Sequence, residues 1–134
     1  MNIVIVCFGT PDVSGDSLGP EIGTLLVEKY NVSAYVYGTV GNPVTAKTMS
    51  AFIAHVNAVH KESIVLAVDA SLSTADKKFR FSFSDDGVCP AAAVGRKKRF
   101  GDVGMLGVVG EKGKDNIREL ITSDRFMVQK LADK

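Results

Sequence analysis

The chain has 134 residues, enough for one domain with a proper core, since a domain near this size buries roughly 68–70% of its extended-chain surface. Hydrophobic residues make up 46% and charged residues 23%, a balance that excludes a disordered chain. Sixteen basic residues against fifteen acidic ones leave a net charge of +1, so no global field exists to hold nucleic acid or an anionic membrane.

Ile3 to Phe8 is a continuous apolar run ending at Gly9, which predicts a strand buried on both faces. After a turn-rich loop, Leu18, Ile22, Leu25 and Leu26 recur at helical spacing up to about Tyr30, with Pro20 in the first turn, where a missing N–H costs little. Val32 to Tyr37 predicts a second strand and Gly38 to Val44 a loop. A second helix is expected from near Thr45, with Met49, Phe52, Ile53, Val56 and Val59 as its buried stripe. Ile64 to Val68 is wholly apolar and stops at Asp69, as a buried parallel strand would.

Phe79-Arg80-Phe81-Ser82-Phe83 alternates strictly, predicting a strand near the sheet edge with one apolar and one polar face. Asp85-Asp86-Gly87 follows as a turn, Val103 to Val109 as a last strand, and Ile117, Leu120, Ile121, Phe126 and Leu131 as a closing helical segment with breaks around Ser123. Strand, helix, strand, helix, strand in sequence is the signature of a parallel sheet with helices on its faces. One domain over residues 1–134 is expected, without a second domain or linker. The start Met1-Asn2-Ile3 lacks the basic region and cleavage site of a signal peptide, and no apolar run reaches the ~20 residues of a membrane span. Cytoplasm is the expected compartment.

In open parallel sheets, ligands bind beyond the carboxyl ends of the strands, where neighbouring crossovers diverge. That rule selects the loop Gly9 to Pro20 after the first strand and Asp69-Ala70-Ser71 after the third, placing Asp16 and Asp69 on one rim. Two carboxylates there can share a proton, position a water or hold a divalent metal. Alternatively, Asp16 caps the first helix and Asp69 the turn after its strand. Spacing alone leaves both readings open. No cofactor is required by this arrangement. A metal bound by two carboxylates without a histidine should be a hard, oxygen-preferring cation, weakly held.

Gly15-Asp16-Ser17-Leu18-Gly19 also fits G-x-S-x-G, the nucleophile elbow, and spells the GDSL that names a family of esterases. A serine nucleophile needs a histidine base, and the two histidines, His55 and His60, precede Asp69 on or just after the second helix. No D-x-x-H near the carboxyl end supplies the esterase pattern. Ser17 is therefore expected to be a helix-start residue whose hydroxyl accepts a backbone N–H bond. The histidines are five residues apart and cannot form an i, i+4 metal pair. They read as a solvated and a helix-end histidine. Cys7 and Cys89 form no CxxC pair, and Cys7 reads as an inert buried thiol. Gly110-Glu111-Lys112-Gly113-Lys114-Asp115 lacks P-loop spacing and reads as a glycine-rich turn. Arg96-Lys97-Lys98-Arg99 reads as a solvated basic loop.

Ser14-Gly15-Asp16-Ser17-Leu18-Gly19-Pro20 after Phe8-Gly9-Thr10 resembles the YyaC-type spore protease family, related to germination protease and the hydrogenase-maturation peptidases. Tyr37-Gly38-Thr39 with Asn42-Pro43-Val44, Ala67-Val68-Asp69-Ala70, and Val94-Gly95 through Gly101-Asp102-Val103 extend the match over most of the chain. The resemblance implies a three-layer αβα sandwich of the phosphorylase/peptidase type and carries two acidic functional positions onto Asp16 and Asp69. In the hydrogenase-maturation relatives the equivalent acids help bind nickel with a histidine. This chain has no histidine after His60. In germination protease the two acids act directly in peptide hydrolysis. Pro90-Ala91-Ala92-Ala93 departs from the glycines expected in the family. The resemblance thus implies a peptidase of a spore-forming bacterium, acting in the cytoplasm or forespore on a peptide or protein. The alternatives are a catalytically silent relative that binds a protein partner through the same cleft, and the serine esterase.

Overall fold

A computed structural model of the chain describes residues 2–90, 99–113, 116–121 and 125–133. Among these residues five strands form one sheet: β1 (Ile3–Cys7), β2 (Tyr35–Tyr37), β3 (Ile64–Ser73), β4 (Phe81–Ser84) and β5 (Val103–Glu111). They lie in the order β2-β1-β3-β5-β4, with every pairing parallel except the antiparallel β4 at one edge. Among the described residues four α-helices accompany them: α1 (Leu18–Glu28), α2 (Met49–Val59), α3 (Asn116–Ile121) and α4 (Arg125–Ala132).

The strand pleat sends alternate residues to opposite faces, and both faces of β1 and β3 are covered. Val4, Val6, Val65 and Ala67 pack with Met49 and Val56 of α2. Cys7 and Val68 pack with Leu18 and Ile22 of α1 and Val128 and Leu131 of α4. The result is the three-layer αβα sandwich with a mostly parallel central sheet. Burial on both faces is why β1 and the first half of β3 are continuous apolar runs instead of alternating ones.

Several boundaries differ from the sequence expectation. β2 keeps only Tyr35–Tyr37 of the expected Val32–Tyr37, and α1 ends at Glu28. α2 begins at Met49, because Thr45 to Thr48 form their own hydrogen-bonded turn, with the Thr45 N–H donating to Thr48 Oγ1 and the Thr48 N–H to the Thr45 carbonyl. Phe79 has φ +62° and stands outside β4. The apolar face expected for that strand is incomplete, since Phe83 is 72% exposed. The described residues of the closing helical segment are Asn116–Ile121 in α3 and Arg125–Ala132 in α4. Residues 91–98, 114–115 and 122–124, which include most of the Pro90–Ala93 and Arg96–Arg99 stretches, the Lys114-Asp115 end of the glycine-rich segment, Val94-Gly95 and the Ser123 break, lie outside the described residues.

The correction that matters most concerns β3. It does not stop at Asp69 but continues to Ser73, hydrogen-bonded in register with β5 up to Glu111 across a bulge between Ser71 and Leu72. The sequence shows a break at Asp69 only because a carboxylate there interrupts the apolar run. The partner strand is long for the same reason, so Gly110-Glu111 belong to β5 and not to a turn.

Candidate functional site

The connection after β1 runs to β2 on one side, whereas the chain leaving β3 runs to β4 and β5 on the other. β1 and β3 are therefore the strands between which the connections diverge, the expected ligand position in an open parallel sheet. A cleft of about 650 Å³ opens there, lined by Gly9, Thr10, Asp16 and Asp69 among others. The structure brings together the two aspartates that the rim argument selects.

Asp16 is carried by the loop after β1. Gly9 starts that loop with φ +134°, and a Cβ there would lie 2.1 Å from the Asp16 carbonyl oxygen. The positive φ and the close approach both require glycine, and together they fold the loop back over the end of β1. The Thr10 N–H donates to Asp16 Oδ2 at 3.0 Å. Arg125 of α4 donates from Nη2 to the Pro11 carbonyl at 2.9 Å, tying the loop to the helical layer. Asp69 is built into β3, is 7% exposed, and accepts at Oδ1 the N–H of Ala70 at 2.8 Å. Each carboxyl thus has one oxygen held by a backbone N–H.

Burial dominates the acidity of both groups. It pushes Asp16 up to about 6, against the stabilising Thr10 N–H. Asp69 is raised well above the usual carboxylate range by its burial first and by the neighbouring Asp16 charge second, against the Ala70 N–H. Both carboxyls therefore hold their protons to higher pH than an ordinary carboxylate, and as Asp16 ionises its charge further favours the protonated form of Asp69. Cys7, in β1 beside Val68, is pushed up to about 12 by burial and by the Asp69 charge, which fits the inert thiol expected from the sequence.

The Asp16 shift predicts a pH dependence of stability. Its folded pKa lies above the ordinary 3.8, so the stability contributed by the buried acid is full below about pH 4 and lost as pH rises through about 6. Denaturant titrations between those values should show wild type losing on the order of 1–3 kcal/mol relative to Asp16→Asn, which has no proton there to lose.

The serine reading does not survive the geometry. Ser17 is fully buried, and its Oγ donates to the Ser14 carbonyl at 2.7 Å instead of accepting a helix N–H as the sequence suggests. The single-turn 3-10 helix Gly15–Ser17 precedes α1 directly, so Ser17 already has helical backbone and its side chain makes no cap bond to α1. His60 caps the C-terminus of α2 and hydrogen-bonds the Tyr37 hydroxyl at 2.9 Å. His55 is exposed on α2, and neither histidine lines the cleft. Ser17→Ala should cost about 0.5–1.5 kcal/mol, the worth of the bond to Ser14, and leave any activity unchanged, and a fluorophosphonate probe should label neither wild type nor variant.

Among the described residues no group of three or more His, Cys, Asp or Glu could hold a metal ion. The donor set does not fit nickel, which favours imidazole or thiolate ligands. Two carboxylates alone would hold a hard cation only weakly.

Sequence reasoning missed Thr10, whose N–H orients Asp16, and the cleft-lining Lys47, Arg99 and Lys112. Thr10 lies in a stretch that matched the spore proteases, and Lys112 in the segment taken for a glycine-rich turn. Nothing in the local pattern of Lys47 marks it.

The family described as "Protein of unknown function (DUF1256)" matches residues 1–133. The "Uncharacterized protein YyaC" of Bacillus subtilis (strain 168) is 37% identical over 112 residues, 83% of this chain and 55% of that protein. The chain thus spans about half the length of this curated relative. The crystal structure of the NiFe hydrogenase maturation protease HycI from Thermococcus kodakarensis KOD1 superimposes with a TM-score of 0.64 at 16% identity, covering 98% of this chain and 85% of that one. That likeness is one of fold.

Proposed function

We propose that this chain, which belongs to the DUF1256 family, is a peptidase whose Asp16 and Asp69 activate a water between them. The observation that carries this reading is the pair itself: two carboxyl groups in one cleft, both held above the usual range, each with one oxygen bound by a backbone N–H and the other left for a ligand. Groups whose environment gives one a proton and the other a charge are assigned as acid and base. Asp16 takes the proton of the attacking water, and Asp69 donates its proton to the carbonyl oxygen as the tetrahedral intermediate forms. The proton gained by Asp16 then passes to the leaving amine as the C–N bond breaks, while one hydroxyl of the intermediate returns a proton to Asp69 as the carboxylic acid product forms.

The fold shared with a hydrogenase maturation protease supports a peptide or protein substrate. The spore setting rests on the resemblance of the Ser14–Pro20, Asn42–Val44 and Ala67–Ala70 stretches. No helix among the described residues is long and apolar enough to cross a membrane. Incubation with a diverse peptide library and mass-spectrometric reading of the products tests the proposal. Cleavage by wild type and none by Asp16→Asn or Asp69→Asn is the expected result. Cleavage that persists in both variants would place the chemistry elsewhere, and binding without cleavage would favour the silent relative.

A further inference from the structure

Lys47 and Lys112 both line the cleft and both are exposed. Neither side chain makes a hydrogen bond or ion pair with a described residue. Their places in the fold are fixed by backbone pairing. Val44, three residues before Lys47, bridges Phe8 in parallel and so holds the position next to β1 on the β2 side. Lys112 directly follows β5, its N–H bonded to the Ser73 carbonyl of β3. Along the carboxyl rim of the sheet the order is therefore Lys47, the Asp16 loop over β1, Asp69 in β3, and Lys112 after β5.

From these positions we infer that the cleft takes acidic peptides, with carboxylate side chains on both sides of the scissile bond held by Lys47 and Lys112. The inference rests on the peptidase reading and gives it a substrate class. Three strand spacings of about 4.8 Å, roughly 14 Å, separate the two lysine positions across the sheet, and Lys112 also lies six residues past Leu106, the β5 partner of Asp69, so an extended chain spans the two in about six or seven residues. A peptide lying across the rim thus presents acids spaced by that interval to the two ammonium groups while its middle lies over the aspartates. Asp12 and Asp16 line the same cleft, and their carboxylates disfavour an acid beside the scissile bond. Arg99 also lines the cleft, but its guanidinium is engaged by the Asp86 carboxylate and the Asp86 and Gly87 carbonyls, so it adds no free cation.

Binding and turnover test this separately. Fluorescence anisotropy on the Asp16→Asn protein compares a labelled peptide bearing two glutamates about six or seven residues apart with the same peptide bearing glutamines. The acidic peptide should bind about tenfold tighter at low salt, as two partly exposed ion pairs would give, and the advantage should shrink at high salt. Lys47→Gln/Lys112→Gln should abolish the preference, and Lys47→Glu/Lys112→Glu should reverse it toward a lysine-bearing peptide. Equal binding of the two peptides, or binding of neither, overturns the inference. On the wild-type protein, cleavage of both peptides at equal rates overturns it while leaving the peptidase reading intact. Preferential binding without cleavage sustains the acidic ligand and removes the peptidase.

Discussion

Asp16→Asn and Asp69→Asn are each expected to lower peptide hydrolysis by roughly 10²–10⁴-fold, the range for loss of a positioned acid or base. The double variant should be little worse than either single one, because groups that act as a unit on one water are non-additive. A different result separates other mechanisms. If the aspartates only shaped the cleft, the losses would appear in KM, and the asparagine variants, nearly equal in size, would retain most of kcat. The pH profile supplies a second reading. Activity should rise with an apparent pKa near 6 as Asp16 ionises and fall at higher pH as Asp69 gives up its proton. The two limbs belong to the coupled pair, so either substitution should distort both. Neither variant should be unfolded, since both remove a buried ionisable group, and equal or higher melting temperatures accompanying the lost activity would exclude collapse as the cause.

Much of this arrangement is legible in the sequence, for identifiable reasons. Strands buried on both faces must be apolar throughout, so β1 and the front half of β3 stand out as Ile3 to Cys7 and Ile64 to Val68. The loops that follow them are then the rim loops by topology, which is enough to choose Asp16 and Asp69. What stays hidden is set by contacts distant in sequence. β3 runs on past Asp69 because β5 offers an equally long parallel partner, and no local pattern announces that register. β2 is short because the chain before it is not paired with β1 beyond three residues. The direction of the Ser17 hydroxyl depends on the single-turn 3-10 helix that precedes α1, so the usual inference from a serine at a helix start gives the wrong partner. The lysines of the cleft rim are invisible for a similar reason: one lies on the β2 side of β1 and the other after β5, and they face one cleft only in the folded chain.

Gly19→Ala is expected to be among the most damaging single substitutions in the chain, although it adds one methyl group. Gly19 lies in the first turn of α1 with an ordinary helical backbone, so conformational strain is not the issue. A Cβ at this position would lie 2.0 Å from the Phe8 carbonyl oxygen, 2.9 Å from its carbon and 3.1 Å from its nitrogen. All three are main-chain atoms of the residue that leaves β1, and none can swing aside as a side chain end would. The helix would have to withdraw from the sheet, opening the contacts of Leu18 and Ile22 with Cys7 and Val68 and pulling on the loop that carries Asp16. Overpacking of a well-filled core costs typically 1–3 kcal/mol even where side chains can relax, so here a loss of about 3 kcal/mol or more is expected, a large part of an ordinary domain's stability. Gly41→Ala is the matched control, since nothing lies within 4 Å of its Cβ position, and it should leave the denaturation midpoint almost unmoved. An unchanged midpoint for Gly19→Ala would mean that α1 does not pack on β1 at this distance. The expected outcome also accounts for the second glycine of the G-x-S-x-G pattern: it is there to let a helix touch a strand, not to expose a nucleophile.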